Sequence, residues 1–140
     1  MDLYRDLTLL TALAARRLRA RFKERLPDGG PSATEWMALW AISEAGGRLG
    51  QGQLAEKMDL NDPALTRLVN GLVKQGFASR EVSEGDRRFK VLTLTEKAKP
   101  YLDEGSAIGR KLREEVFAGL SNEEIGACMQ VLRRVIHRLG

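Results

Sequence analysis

Apolar residues recur every three or four positions through most of the chain, and this spacing predicts a mainly helical protein. Residues 1–26 carry one continuous amphipathic stripe, which ends before "PDGGP". A second helix is predicted from "SATE", which has the spacing of a capping box, through "WMALWAISEAG" to Gly46 and Gly47. A last helix is predicted from "SNEE", where Ser121 and Glu124 repeat the capping-box spacing.

The middle of the chain contains two short helical patterns separated by only a few residues. The first covers about Gln51–Met58, and the second is "NDPALTRLVNGLVKQGF". Two helices joined this closely are typical of a helix-turn-helix. Asn61 or Asp62 can cap the second helix, Pro63 fits its first turn, and Gly76 fits its C-terminal end.

Two β-rich runs follow, "FASREVS" and "FKVLTLT", on either side of the turn "EGDRR". They predict a two-stranded hairpin, here called the wing, which must lean on the helices to be stable. From Thr95 as N-cap, a long helix is predicted to about Phe117, with Pro100 bending its first turns. The predicted fold class is therefore mainly α, an α+β winged helix-turn-helix with about six helices and a two-stranded wing.

Composition narrows the class of protein without identifying a site. The 140 residues fit one domain, and no apolar run approaches the roughly 18 to 20 residues of a membrane span. The start of the chain lacks the pattern of a signal peptide, so a cytoplasmic protein with no membrane partner is expected. The formal charge is +4, and residues 1–26 hold seven basic and three acidic side chains, which permits an anionic partner.

The helix that begins at Pro63 has two contrasting faces. At 100° per residue, one sector is apolar and predicted to be buried: Leu65, Leu68, Val69, Leu72 and Val73. The opposite sector holds Pro63, Arg67, Asn70 and Lys74, with Ala64 and Thr66 on its flanks. Arg, Asn and Thr suit guanine edges, adenine edges and thymine methyls in a major groove, and Lys74 is expected to meet phosphate. Small residues, Gly71 among them, would allow close approach, although a solvated surface explains each side chain taken alone.

The turn "EGDRR" offers a second contact with a duplex. A guanidinium at a slim hairpin tip can enter the negative potential of a minor groove. Asp86 lies two residues before Arg88 and can hold that side chain extended, while Arg87 is free to meet a phosphate. The alternative is a solvated turn with a weak local ion pair.

The segments "QLAEKMDLNDPALTRLVNGLVKQGFASR" and "GDRRFKVLTLTEKA" resemble the multiple antibiotic resistance regulator (MarR) family of dimeric winged-helix repressors. The resemblance implies a wing pair of Asp86 and Arg88, and base or phosphate contacts from Thr66 and Arg67. The ending "FAGLSNEEIGACMQVLRRVI" is similar to the SlyA-like branch. Ala98 departs from the glycine that is common after L-T-E-K in the family.

The expected organisation is a single MarR-type domain over residues 1–140, with a DNA-binding lobe at 32–95 and a helical dimerisation region at 1–26 and 100–140. The resemblance implies a sequence-specific regulator of transcription, acting as a repressor on double-stranded DNA. Apolar stripes on the first and last helices independently predict a homodimer, whose two recognition helices would lie roughly 34 Å apart on a pseudo-palindromic operator.

Family members often release DNA when a small aromatic or phenolic ligand binds, so a ligand pocket is the next expectation. Trp36, Met37 and Trp40, with Arg16, could supply flat apolar surface and a partner for a carboxylate. Core packing of the two tryptophans is the favoured alternative.

A winged-helix module that binds protein without DNA is the alternative function, although such a module does not need an acid-free helix face and two wing arginines. An enzyme is least favoured, because the chain has a single histidine, His137, and no recognisable catalytic motif. No cofactor or metal is expected. Cys128 is predicted to be a buried or half-buried hydrophobe rather than a redox sensor.

Overall fold

The computed structural model describes residues 1–82, 85 and 89–140. These residues form six helices and three strands, so the predicted mainly α, winged helix-turn-helix class is confirmed. None of the helices in this part of the chain is long and apolar enough to cross a membrane. In chain order the elements are α1 (Leu3–Arg25), α2 (Ala33–Glu44), β1 (Arg48–Gly50), α3 (Gln51–Met58), α4 (Asp62–Lys74), β2 (Ala78–Val82), β3 (Lys90–Leu94), α5 (Ala98–Val116) and α6 (Asn122–Leu139).

Local capping chemistry sets the ends of α2 and α4. The Ser32 hydroxyl accepts from the Glu35 N–H at 3.1 Å, and the Ser32 N–H donates to Glu35 Oε1 at 2.9 Å, which completes the predicted capping box. At α4, Asn61 rather than Asp62 is the N-cap, since Asn61 Oδ1 accepts from the Ala64 N–H at 3.0 Å. These bonds satisfy N–H groups that have no partner within the helix.

The sheet has a third strand that the hydrophobic pattern did not predict. The strand order is β1-β3-β2 with both pairs antiparallel, so β3 is central and the hairpin of β2 and β3 gains β1 on its other side. Leu92 of β3 lies opposite both Leu49 and Arg80, and it is fully buried. A three-residue strand is too short to show the alternation by which strands are recognised.

The core of the compact unit Met1–Gly109 contains an aromatic cluster at α1, α2 and α5. The rings of Phe22 and Trp36 meet edge to face, 4.9 Å between centroids. The indole N–H of Trp36 donates to the Tyr101 carbonyl oxygen at 3.2 Å. Gly105 faces the same indole, and a Cβ there would overlap Trp36 Nε1. The absence of a side chain at Gly105 is therefore what allows Trp36 to pack there.

The start of α5 differs from the prediction. Thr95 does not cap this helix, because its hydroxyl donates to the Gly76 carbonyl oxygen at 2.5 Å and its N–H donates to the Phe77 carbonyl oxygen at 3.1 Å. The helix begins at Ala98, which is fully buried. Pro100 is its third residue, a position where the missing N–H has no helical partner to lose.

The unit Arg110–Gly140 contains the end of α5 and all of α6. The predicted capping box is present at α6: Ser121 Oγ accepts from the Glu124 N–H at 3.1 Å, and the Ser121 N–H donates to Glu124 Oε1 at 3.0 Å. Cys128 is exposed, which corrects the expectation of a buried or half-buried position.

We expect Ser121→Ala to raise the pKa of Glu124 part of the way towards the ordinary carboxyl range. The backbone N–H of Ser121, and after it the Ser121 hydroxyl, hydrogen-bond the carboxylate and lower its pKa. Since the folded-state pKa is lowered, the stabilising contribution exists above the ordinary carboxyl pKa and is lost as pH falls through the folded-state value. Carbon-13 NMR titration of Glu124 measures this shift, and Ser121→Thr should leave it in place. An identical titration curve in Ser121→Ala would show that the hydroxyl contributes nothing.

Candidate nucleic-acid interface

The two faces predicted for α4 are present in the fold. Its buried side consists of Leu65, Leu68, Val69 and Leu72. Five of the six predicted contact residues are exposed on the other side and are here called the α4 outer face: Pro63, Thr66, Arg67, Asn70 and Lys74. The sixth, Ala64, is half-buried. The helix therefore presents Arg67, Asn70 and Lys74 together on one side, available to a partner.

Val73 of α4 corrects the prediction, and Gly71 has a contact that the sequence did not show. Val73 was assigned to the buried sector, but 36% of it is exposed. It lies about 80° from Leu65 around the helix, at the margin of the apolar sector. Gly71 is half-buried, and a Cβ there would lie 3.2 Å from Glu35 Oε2 of α2. Its small size therefore also serves packing between α2 and α4, and its role in making room for a groove stays a prediction.

Charge on α4 follows the expected distribution. Arg67 and Lys74 are exposed on the α4 outer face, and the one acidic residue of the helix, Asp62, is in its first turn. An acid at this position complements the positive end of the helix dipole. The α4 outer face beyond Asp62 carries no carboxylate in the part of the chain that the structure describes, so a phosphate-lined surface can approach it.

The strand next to α4 contributes a residue that the sequence analysis missed. Arg80 of β2 donates from Nη1 to Asn70 Oδ1 at 3.3 Å. Along β2, Arg80 shares a side of the sheet with the buried Ala78, and α4 packs against this strand, although Arg80 itself is exposed. Alternation along the strand could have placed Arg80 on that side, but its distance to Asn70 depends on how α4 packs against β2.

Asp86, Arg87 and Arg88, the predicted wing contacts, lie outside the described residues. Their roles in binding stay predictions.

The proposed ligand residues do not lie together. Trp36 is buried, with its indole bonded to Tyr101, whereas Trp40 is 46% exposed. Met37 and Trp40 line a groove of about 650 Å³ on the unit Met1–Gly109. The cationic residue of α1 in this groove is Arg19, and Arg16 is exposed on α1 without being among the described residues that line it. The structure thus keeps Met37 and Trp40 in one candidate pocket and separates Trp36 and Arg16 from it.

Comparison with known proteins agrees with this architecture. A model described as MarR family matches residues 30–88. The solved transcriptional regulator PA3341 is 32% identical, with a TM-score of 0.85 over 95% of this chain and 97% of that chain. A mutant of MarR from E. coli, solved in complex with operator DNA, is 21% identical, with a TM-score of 0.81 over 96% and 99%.

A third solved relative is BpsR from Bordetella bronchiseptica, whose DNA binding is regulated by 6-hydroxynicotinic acid. It is 19% identical, with a TM-score of 0.81 over 96% of each chain, so it shares the fold. The family model covers the helix-turn-helix and β2 and ends before β3, and PA3341 matches nearly the whole chain. The chain therefore belongs to the MarR family of transcriptional regulators.

Proposed function

We propose that the protein is a repressor that binds double-stranded DNA as a homodimer, with α4 in the major groove of each half-site. The observation that carries the proposal is the α4 outer face, where Arg67, Asn70 and Lys74 are exposed without an intervening acid. The E. coli MarR mutant, which has the same fold and was solved in complex with operator DNA, supports the binding of DNA. Arg67 would donate to a guanine edge, Thr66 would contact a thymine methyl, and Lys74 would meet a phosphate.

The wing would make the second set of contacts. Arg88 would enter the minor groove, Asp86 would hold it extended, and Arg87 would contact a phosphate. This part of the proposal rests on the sequence "EGDRR" and on the position of the hairpin strand β2 beside α4.

A second copy of the chain would cover the apolar side chains that α1 and α6 expose. On α1 these include Leu3 at 70% and Leu10 at 62% exposure, and on α6 they include Ile136 at 65% and Leu139 at 81%. Clusters of large exposed apolar residues mark interaction surfaces. We assign residues 1–26 and 100–140 to dimerisation and 32–95 to DNA binding. Twofold symmetry would place the two α4 helices roughly 34 Å apart on the duplex.

Regulation of transcription in the cytoplasm, without catalysis, completes the proposed role. Binding to protein instead of DNA is the competing function. It would leave Arg67 and Lys74 without an anionic partner on the α4 outer face.

Selection of bound sequences from a random duplex pool tests the proposed function. We expect a two-fold symmetric motif of about 16 to 20 base pairs, since each protomer reads one half-site. On the selected duplex, affinity should fall about 10³- to 10⁵-fold between 50 and 200 mM salt if six to ten phosphates are neutralised. A binding constant that does not change with salt would contradict the proposal, as would the absence of any enriched motif.

We also propose that a small aromatic acid or phenol occupies the groove lined by Met37 and Trp40. The cationic Arg19 and Lys57 on its walls would attract a carboxylate or phenolate. The regulation of BpsR by 6-hydroxynicotinic acid supports this ligand class. Titration with hydroxybenzoate should quench the fluorescence of the exposed Trp40, and Arg19→Ala should weaken binding about tenfold. Equal quenching in Trp40→Phe would place the ligand elsewhere.

A further inference from the structure

We propose that Arg80 determines base specificity by positioning Asn70. Arg80 orients the Asn70 amide so that the amide NH₂ group faces the duplex and contacts guanine rather than adenine. The inference deepens the proposed function and rests on it, because it takes α4 to occupy the major groove. It also replaces the adenine contact that the sequence alone suggests for Asn70.

The chemistry of the contact fixes the orientation of the amide. Arg80 Nη1 lies 3.3 Å from the side-chain atom of Asn70 that faces it. A guanidinium has five N–H donors and no acceptor, so this atom must be the carbonyl oxygen, Oδ1. The NH₂ group is on the other arm of the planar amide and is left free to donate to a partner.

The backbone of Arg80 is held in the sheet, and its side chain is exposed. Arg80 lies opposite Leu92 of the central strand β3, and Leu92 is fully buried. The next residue, Glu81, is on the opposite side of the sheet, with its carboxylate 3.9 Å from the Arg48 guanidinium. That acid is therefore directed away from Arg80, and the positive charge beside Asn70 is not neutralised by its neighbour in sequence.

The positive charge decides which base edge suits Asn70. A bidentate contact with adenine requires Oδ1 to accept from the N6 amino group while the amide NH₂ donates to N7. Here Arg80 competes for Oδ1, and its charge disfavours an amino donor beside it. Guanine presents only the acceptors N7 and O6 on this edge. Exclusion of water in the complex would strengthen both the Arg80 contact and the preference.

Sequence selection with three variants tests the proposal: Arg80→Met, Asn70→Ala and the double variant. We expect the wild type to prefer guanine about tenfold at one position of each half-site, and Arg80→Met to move that preference towards adenine. Asn70→Ala should abolish the preference, and Arg80→Met should then add no further change there. If Arg80 instead contacts a phosphate, Arg80→Met will weaken all duplexes equally and lower the salt slope by about one per protomer. That result would overturn the proposal.

A measurement without DNA separates this proposal from the proposed function. In the free protein, the side-chain NH₂ resonances of Asn70 should shift in Arg80→Met, while those of Asn61, nine residues earlier at the N-cap of α4, should not. Unfolding curves that match the wild type would show that the variant is folded. An unchanged Asn70 signal overturns the positioning role even if the wild type binds DNA. If the Asn70 signal shifts but the wild type selects no duplex, the contact between Arg80 and Asn70 is present and the proposed function is wrong. The reading of guanine is then wrong as well.

Discussion

The Gly105→Ala variant is expected to lose about 3 kcal/mol of stability, because the added methyl group meets a side chain that cannot move away. A Cβ at this position would overlap Trp36 Nε1 and lie 2.5 Å from Trp36 Cε2. The Phe22 ring, 4.9 Å away, and the bond from the indole N–H to the Tyr101 carbonyl oxygen both fix Trp36. Relief of the overlap would break that bond or displace α5. Urea unfolding followed by circular dichroism measures the loss.

Gly52→Ala is the matched control for the effect of alanine itself. Gly52 is also within a helix, α3, but a Cβ there would meet nothing within 4 Å. Alanine at Gly52 should therefore stabilise the protein by up to about 1 kcal/mol, through helix propensity. The same propensity gain exists at Gly105 and is outweighed there by the overlap. If both variants were stabilised alike, the packing described for Trp36 would be wrong.

The Arg67→Ala variant is expected to bind its selected duplex about 30- to 10⁴-fold more weakly and to lose preference at one guanine per half-site. A bidentate contact with guanine discriminates by roughly 1–3 kcal/mol, and twofold symmetry removes it twice. Arg67 is exposed on α4, so its truncation should leave the fold unchanged. Competition binding with duplexes changed at single positions measures both effects.

Lys74→Ala is the control for charge on the same helix. Lys74 is also exposed, in the last turn of α4, and its expected partner is a phosphate. Its loss should weaken binding to every duplex by a similar factor and reduce the salt slope, with no change in base preference. A variant Arg67→Ala that behaved in the same way would reassign Arg67 to the phosphate backbone.

The helix ends were predictable because they depend on residues close together in the chain. Ser32 and Ser121 cap α2 and α6 through bonds that span three residues, and these are visible as motifs in the sequence. The buried side of α4 was predictable for a related reason, since periodicity alone places Leu65, Leu68 and Leu72 together. Val73, at the margin of that sector, was misassigned because its burial depends on the elements that pack against α4.

Trp36 and Trp40 show where periodicity stops being informative. They are one helical turn apart on α2 and face nearly the same direction, so the sequence treats them alike. In the fold, Phe22 and Gly105 enclose Trp36, while Trp40 is left 46% exposed in a groove. Gly105 is 69 residues from Trp36 in the chain, and no local pattern connects them.

The sequence by itself determined the class of fold, the boundaries of most helices and the outward side chains of α4, because hydrophobic period and capping act within a few residues. Tertiary structure alone decided that β1 joins the sheet, that Gly71 faces Glu35, and that Arg80 reaches Asn70. Each of these depends on segments distant in the chain being packed together, and contacts of that kind leave no periodic trace in either segment.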